Sequence, residues 1–277
     1  MLYYLTRKDH IEHFRSQKYI KRSDFPCDGP PRSITFCTTC MNRLNDLKQT
    51  FLRNVKDNEK YPCLEMLLLD YGSSDELSVW VKSNLMNYIA SGRVTYYRVE
   101  ATQFRANHSR NISFRLAKGE IIANVDADNF TQPGFAHRVN QCAIPHKQVL
   151  IVPENFLTGN HSLLRGRFAM YKKDIEMLRG FDEDLDDGYG HDDLNFAFRA
   201  MLANFRIVRY ESKFTHERIH TPMQERSRYM LTKDTKLSWR ANYAITHSKI
   251  CKGQVAVNQD GWGKARVTKN FQEELEL

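Results

Sequence analysis

The sequence predicts an α/β fold, a mostly parallel central sheet flanked by helices. Three observations predict it. Short apolar runs at 33–39, 64–69, 94–99 and 120–125 alternate with helical patterns, which is the signature of βαβ units. Polar segments at 38–43, 70–75 and 126–129 follow three of those runs directly, where an open parallel sheet gathers its ligand contacts. The 277 residues, 41% apolar and 27% charged, can bury a full core without disulfides or a structural metal.

The elements follow in order. Residues 1–32 carry no clean period and end in DGPP at 28–31, a boundary. Residues 33–39 (SITFCTT) read as a strand. Residues 43–55 place Leu44, Leu47, Phe51 and Leu52 at helical spacing. A buried strand at 64–69 runs into a turn at 70–75, and 76–89 is helical. A third strand at 94–99, a helix at 106–117 closed by Gly119, and a fourth strand at 120–125 complete the first half. In the second half, 149–152, 167–171 and 205–210 read as strands. Residues 172–178, 194–203 and 234–243 read as helices, and the tail from Val255 reads as loosely ordered. No apolar run approaches the roughly 18 residues that a membrane span needs. The first ten residues lack the pattern of a secretory leader.

Cysteines at 27, 37, 40, 63, 142 and 251 are scattered, as in a reduced cytosolic protein. Cys37 and Cys40 form a C-x-x-C inside a strand pattern, with no second pair to complete a zinc site, and read as small buried residues. The net charge is +8, and 205–270 holds 14 Lys and Arg against 5 Asp and Glu. Such a surface attracts phosphate, anionic membrane or nucleic acid. Residues 181–193 hold seven acids in thirteen positions. An EF-hand is excluded there, because Asp187 stands where the loop requires glycine and Asp193 where it requires glutamate.

Two constellations carry chemistry. Asp126 and Asp128 follow a strand directly; in extended backbone both would face one cavity, where like charges call for a cation such as Mg²⁺ or Mn²⁺. A histidine from a neighbouring strand end could complete that site, with His216 the first choice and His220 the second. The loop GYGHDD at 188–193 opens a helix, so Asp192 and Asp193 fall in its first turn. There they serve either as helix-stabilising charges or as reacting groups.

The ordered series resembles family 2 glycosyltransferases of GT-A fold. It comprises Thr39 with Asn42 and Arg43, LDYGSSD at 69–75, SRN at 109–111, KGEIIANVDAD at 118–128, GFDE at 180–183 and GYGHDDL at 188–194. The later stretch is also similar to β-1,4-galactosyltransferases and to chondroitin polymerase transferase domains. The resemblance spans about Ser33 to His220. It implies an inverting, metal-dependent hexosyl transfer from a nucleotide sugar, usually a UDP-sugar, to a hydroxyl of a glycan or lipid-linked acceptor in polysaccharide assembly. It implies nucleotide contacts at Thr39, Arg43, Asp70, Arg110 and Asp126. Mn²⁺ (or Mg²⁺) would sit on Asp128 and His216, Asp193 would act as base, and Tyr189, Gly190 and Asp192 would contact the acceptor. The implied organisation is an N-terminal extension at 1–32, a nucleotide-sugar-binding half at 33–130, an acceptor-binding and catalytic half at 131–248 and a tail at 249–277. Two departures stand out: Tyr71 where the family often has a second aspartate, and Asp192 where it has glutamate. A cytoplasmic protein, peripheral at the inner membrane through its basic surface, is the implied setting. The rival readings are a nucleotidyltransferase and a basic nucleic-acid-binding protein; no nucleic-acid-binding motif is present, and no nucleic-acid partner is expected.

Overall fold

The computed structural model describes residues 29–153, 166–210 and 218–277. Its described strands form one sheet in the order β7-β5-β6-β4-β1-β2-β3-β8-β9. The centre is parallel, with β1 (Ile34–Cys40) between β2 (Leu64–Tyr71) and β4 (Ile121–Val125), and β3 (Val94–Val99) beyond β2. The expectation of a parallel central sheet is met there. Apolar side chains pack on both faces of these strands, so they read as unbroken apolar runs rather than alternating ones.

The crossovers are helical where the spacing predicts. In α1 (Leu44–Asp57), Leu44, Leu47, Phe51 and Val55 form the buried stripe. The helical stretch expected at 76–89 is two helices, α2 (Leu77–Asn84) and α3 (Met86–Ala90), divided at Leu85. Helix α4 (Ala106–Leu116) leads to β4, and α5 (Phe135–Cys142) to β5 (Val149–Pro153).

On each flank one strand runs against the centre, β6 on one side and a late strand on the other. Strand β6 (Arg167–Tyr171) lies between β4 and β5, antiparallel to both, and β7 (Arg206–Tyr210) runs parallel to β5. Helices α6 (Lys172–Leu178), α7 (Asp192–Leu202), α8 (Met223–Arg226) and α9 (Thr235–Cys251) complete this half. Residues from 255 onward are not loose. A hairpin of β8 (Arg266–Lys269) and β9 (Glu273–Glu276) extends the sheet from β3. Val257 and Val267 are buried, and the Phe271 ring stacks on Tyr96 at 4.7 Å. Four-residue strands with little apolar content carry almost no period, so this hairpin is a product of docking rather than of pattern. Cys37 and Cys40 are buried in β1 as unpaired thiols, and burial pushes both thiols well up.

Buried Arg199 ties the second half together. It donates to the carbonyls of Leu178, Gly180 and Val255 and to the Asn195 side chain, and burial lowers its pKa to about 10.

Candidate active site

The C-terminal ends of β1 and β4, the N-terminal half of α4, the loop before α7 and segment 218–230 enclose a cavity of about 900 Å³. Thr39, Arg43, Arg110, Asp126, Asp128, Tyr189, Gly190, Asp192, Asp193 and His220 all line it. Strand register explains the first group: β1 and β4 are parallel neighbours, so their following residues emerge on one edge of the sheet.

Asp126 and Asp128 reach the cavity differently from the expectation. The backbone turns there, with Asn129 N–H donating to the Asp126 carbonyl at 2.9 Å, so the side chains do not share a face by strand alternation. Asp126 stays partly exposed and pairs with Arg110 Nη2 at 3.2 Å. Its carboxylate lies where a Cβ on Gly166 would fall, 2.2 Å from Oδ2; that glycine has φ +71°, so only glycine fits beside it. The Asp128 side chain is 2% exposed, and its Oδ2 accepts from Arg226 at 3.1 Å and Arg43 at 3.3 Å. Asn129 Nδ2 donates to Oδ1 at 2.7 Å. Both carboxylates are therefore balanced by guanidinium groups.

Arg43 also meets Asp46 and the Thr221 hydroxyl, each at 2.5 Å. Burial works against its charge, but Asp128 and Asp46 outweigh that and leave its pKa raised. Arg110, likewise buried, is held charged by Asp126, Asp192 and Asp193. Its Nη1 donates to Asp192 Oδ2 at 2.6 Å, and its guanidinium lies over the Phe181 ring. One arginine thus links the strand-end acids to the helix-start acids.

Helix α9 positions the loop before α7. A Cβ on Gly188 would lie 2.2 Å from Ser238 Cβ, and one on Gly190 2.8 Å from Trp239 Cδ1, so both positions demand glycine. Ser238 Oγ accepts from the Tyr189 N–H, and Asn242 Nδ2 donates to the Gly190 carbonyl. His191 then caps α7 with φ +66°, and Asp192 and Asp193 open the helix, as the sequence implied. Tyr189 accepts from Arg226 through its hydroxyl at 3.2 Å, and burial raises its pKa.

One expected residue falls elsewhere. Asp70 is fully buried and does not line the cavity. Its Oδ1 accepts from Ser73 N–H, and its Oδ2 accepts from Tyr96 and Arg98, each at 2.8 Å. These partners make it a brace for the strand-end loop, buried away from the cavity. Tyr71, the departure beside it, turns to His108 Nδ1 at 2.7 Å. His216 lies outside the described residues. The sequence reading passed over Trp239, Asn242 and Thr221. Only Trp239 carried a signal, the spaced aromatics of the α9 sequence.

Asp126 and Asp128 supply the hard oxygen donors that Mn²⁺ or Mg²⁺ takes. Among the described residues no group of three or more His, Cys, Asp or Glu side chains gathers around one point.

Residues 35–141 match the glycosyl transferase family 2 model. The chain is 26% identical over 155 residues to a hyaluronan synthase of Pasteurella multocida, covering 55% of this chain and 15% of that protein's length. Its fold is similar to a mannosyltransferase of Pyrobaculum calidifontis solved with GDP-Man and Mn²⁺. That likeness has a TM-score of 0.61 at 18% identity over 88% of this chain and 74% of that one. It is also similar to GalNAc-T7 solved with UDP, GalNAc and Mn²⁺, with a TM-score of 0.57 at 14% identity over 80% of this chain and 48% of that one. The fold is that of the GT-A structures. Within it the resemblance is to family 2, carried by residues 35–141.

Proposed function

We propose that the protein is an inverting, metal-dependent glycosyltransferase that moves a hexosyl unit from a UDP-sugar to a hydroxyl of a glycan or lipid-linked acceptor. One observation carries this reading: Asp126 and Asp128 after β4, and Asp192 and Asp193 at the start of α7, line the same cavity. That shared lining supports a site in which acids that handle a diphosphate meet a carboxylate pair suited to activating a hydroxyl.

The roles are those that the family resemblance implies. Thr39, Arg43, Arg110 and Asp126 meet the nucleotide. Arg43 and Arg226, now on Asp128, are forked donors suited to phosphate oxygens. Asp128, with His216 or His220, would hold Mn²⁺, which when bound would supply charge neutralisation for a diphosphate leaving group. Asp192, which accepts from Arg110, orients the acceptor, the role the resemblance implies for it. Asp193 takes the proton from the acceptor hydroxyl while that oxygen attacks the anomeric carbon. The bond from that carbon to the diphosphate breaks on the opposite face, which inverts the centre. Tyr189 and Gly190 form the acceptor floor. The halves at 33–130 and 131–248 divide donor and acceptor work, and basic segment 205–270 suits a cytoplasmic protein peripheral at an anionic inner membrane. Among the described residues no helix is long and apolar enough to cross a membrane.

The test is a thermal-shift panel of nucleotide sugars with and without Mn²⁺, with Asp128→Ala alongside. The expected result is stabilisation of the wild type by a UDP-sugar only when Mn²⁺ is present, and no response from the variant. A variant that responds like the wild type would place the metal elsewhere.

A further inference from the structure

Helix α9 inverts the ordinary arrangement of a surface helix. Its buried positions are Ser238, Asn242, Thr246 and Ile250, three of them small and polar. Its aromatic residues Trp239, Tyr243 and His247 are only half-buried and keep surface in solvent. A helix normally turns its aromatics inward.

The stripe is continuous. The Tyr243 ring lies 6.0 Å from Trp239 and 5° from parallel to it. The His247 ring lies 5.8 Å from Tyr243. Spaced four residues apart, the three cover about 12 Å of helix. His191, buried beneath, packs on Trp239 at 4.4 Å and on Tyr243 at 5.3 Å and holds both rings in place. Trp239 itself lines the cavity, beside the loop that carries Asp192 and Asp193. The stripe therefore begins at the reacting end and leads away along the surface.

Resting on the glycosyltransferase reading, we propose that this stripe is an oligosaccharide track that holds the already assembled part of the acceptor, so that the substrate is a chain rather than a single sugar. The C–H face of a pyranose carries slight positive charge and the aromatic face negative charge, so successive sugars can stack on successive rings. Such contacts tolerate sequence variation and reward length, which is what a polymer acceptor needs.

The test is binding to immobilised neutral and uronic-acid oligosaccharides graded from monosaccharide to octasaccharide. Tyr243 and His247 lie outside the cavity wall, so Tyr243→Ala and His247→Ala probe the track alone. Wild-type binding is expected to strengthen with length. Tyr243→Ala should weaken the longest ligands about ten-fold, the scale of one lost aromatic contact, and leave the monosaccharide unchanged. Tyr243→Phe should retain wild-type behaviour. Binding without length dependence, equal binding by Tyr243→Ala and His247→Ala, or retention of no glycan at all would overturn the track. Thermal shift with UDP and Mn²⁺ on the same samples separates the two readings. A normal nucleotide response in wild type and variant, with an unchanged glycan pattern, defeats the track alone. No nucleotide response in the wild type defeats the enzyme reading and the track with it.

Discussion

The two walls of the cavity are built by different means. The wall formed by β1 and β4 is placed by strand register: parallel pairing brings Thr39, Arg43, Asp126 and Asp128 to one edge of the sheet. The opposite wall is placed by close contact, with Gly188 and Gly190 letting the loop lie against Ser238 and Trp239 of α9. Two arginines join the walls, Arg110 between Asp126 and Asp192, and Arg226 between Asp128 and Tyr189. A wall set by register tolerates change within its strands, whereas a wall set by contact depends on single atoms. Each wall can be broken separately.

The largest effect is expected from Asp193→Asn. General-base catalysis contributes roughly 10²–10⁴-fold, so turnover should fall by that factor while calorimetry shows unchanged nucleotide binding. Parallel loss of binding would mean that Asp193 belongs to the register-built wall. Arg199→Ala comes next. It leaves the carbonyls of Leu178, Gly180 and Val255 without their donor and should cost about 3 kcal/mol of stability, read by urea unfolding. A loss within error would show that the second half does not hang on that residue.

Gly190→Ala tests the contact-built wall directly. Position 190 has φ +102°, and the new Cβ would lie 2.8 Å from Trp239 Cδ1. Strain of about 1–3 kcal/mol is expected, together with lower turnover and intact nucleotide binding. A variant as active as the wild type would show that the loop does not need its seat on α9.

The smallest effect concerns pH. Burial raises the Asp186 carboxyl to about 7, against the Asn107 and His108 N–H groups that it accepts from. The native state then holds a proton that the unfolded chain has lost, so stability should fall as pH rises from about 4 to about 7. Asp186→Asn should remove that slope in urea midpoints measured across the range. A slope that survives the substitution belongs to another group.

Much of the register-built wall is legible in the sequence. Apolar runs of strand length, each followed by polar residues, are enough to place strand ends together, because a parallel sheet leaves them no other edge. Asp70 shows where that reasoning stops. Its position after β2 suggested a ligand contact, yet its oxygens are taken by Ser73, Tyr96 and Arg98, and the choice between cavity and brace depends on side-chain direction. The D-x-D pair reached the cavity by a turn rather than by strand alternation. The GYGHDD loop was legible as a helix start, and its seat on α9 was not.

By itself the sequence determined the α/β order, the central strands, the helix opening at Asp192 and the acids facing one cavity, because periodicity and strand ends are local properties of the chain. Tertiary structure alone decided that Arg43 and Arg226 share Asp128, that Arg110 bridges both walls, and that the 266–276 hairpin closes the sheet edge. It also decided that the α9 aromatics stay at the surface. Each of these joins residues far apart in sequence, through contacts that exist only once the chain has packed.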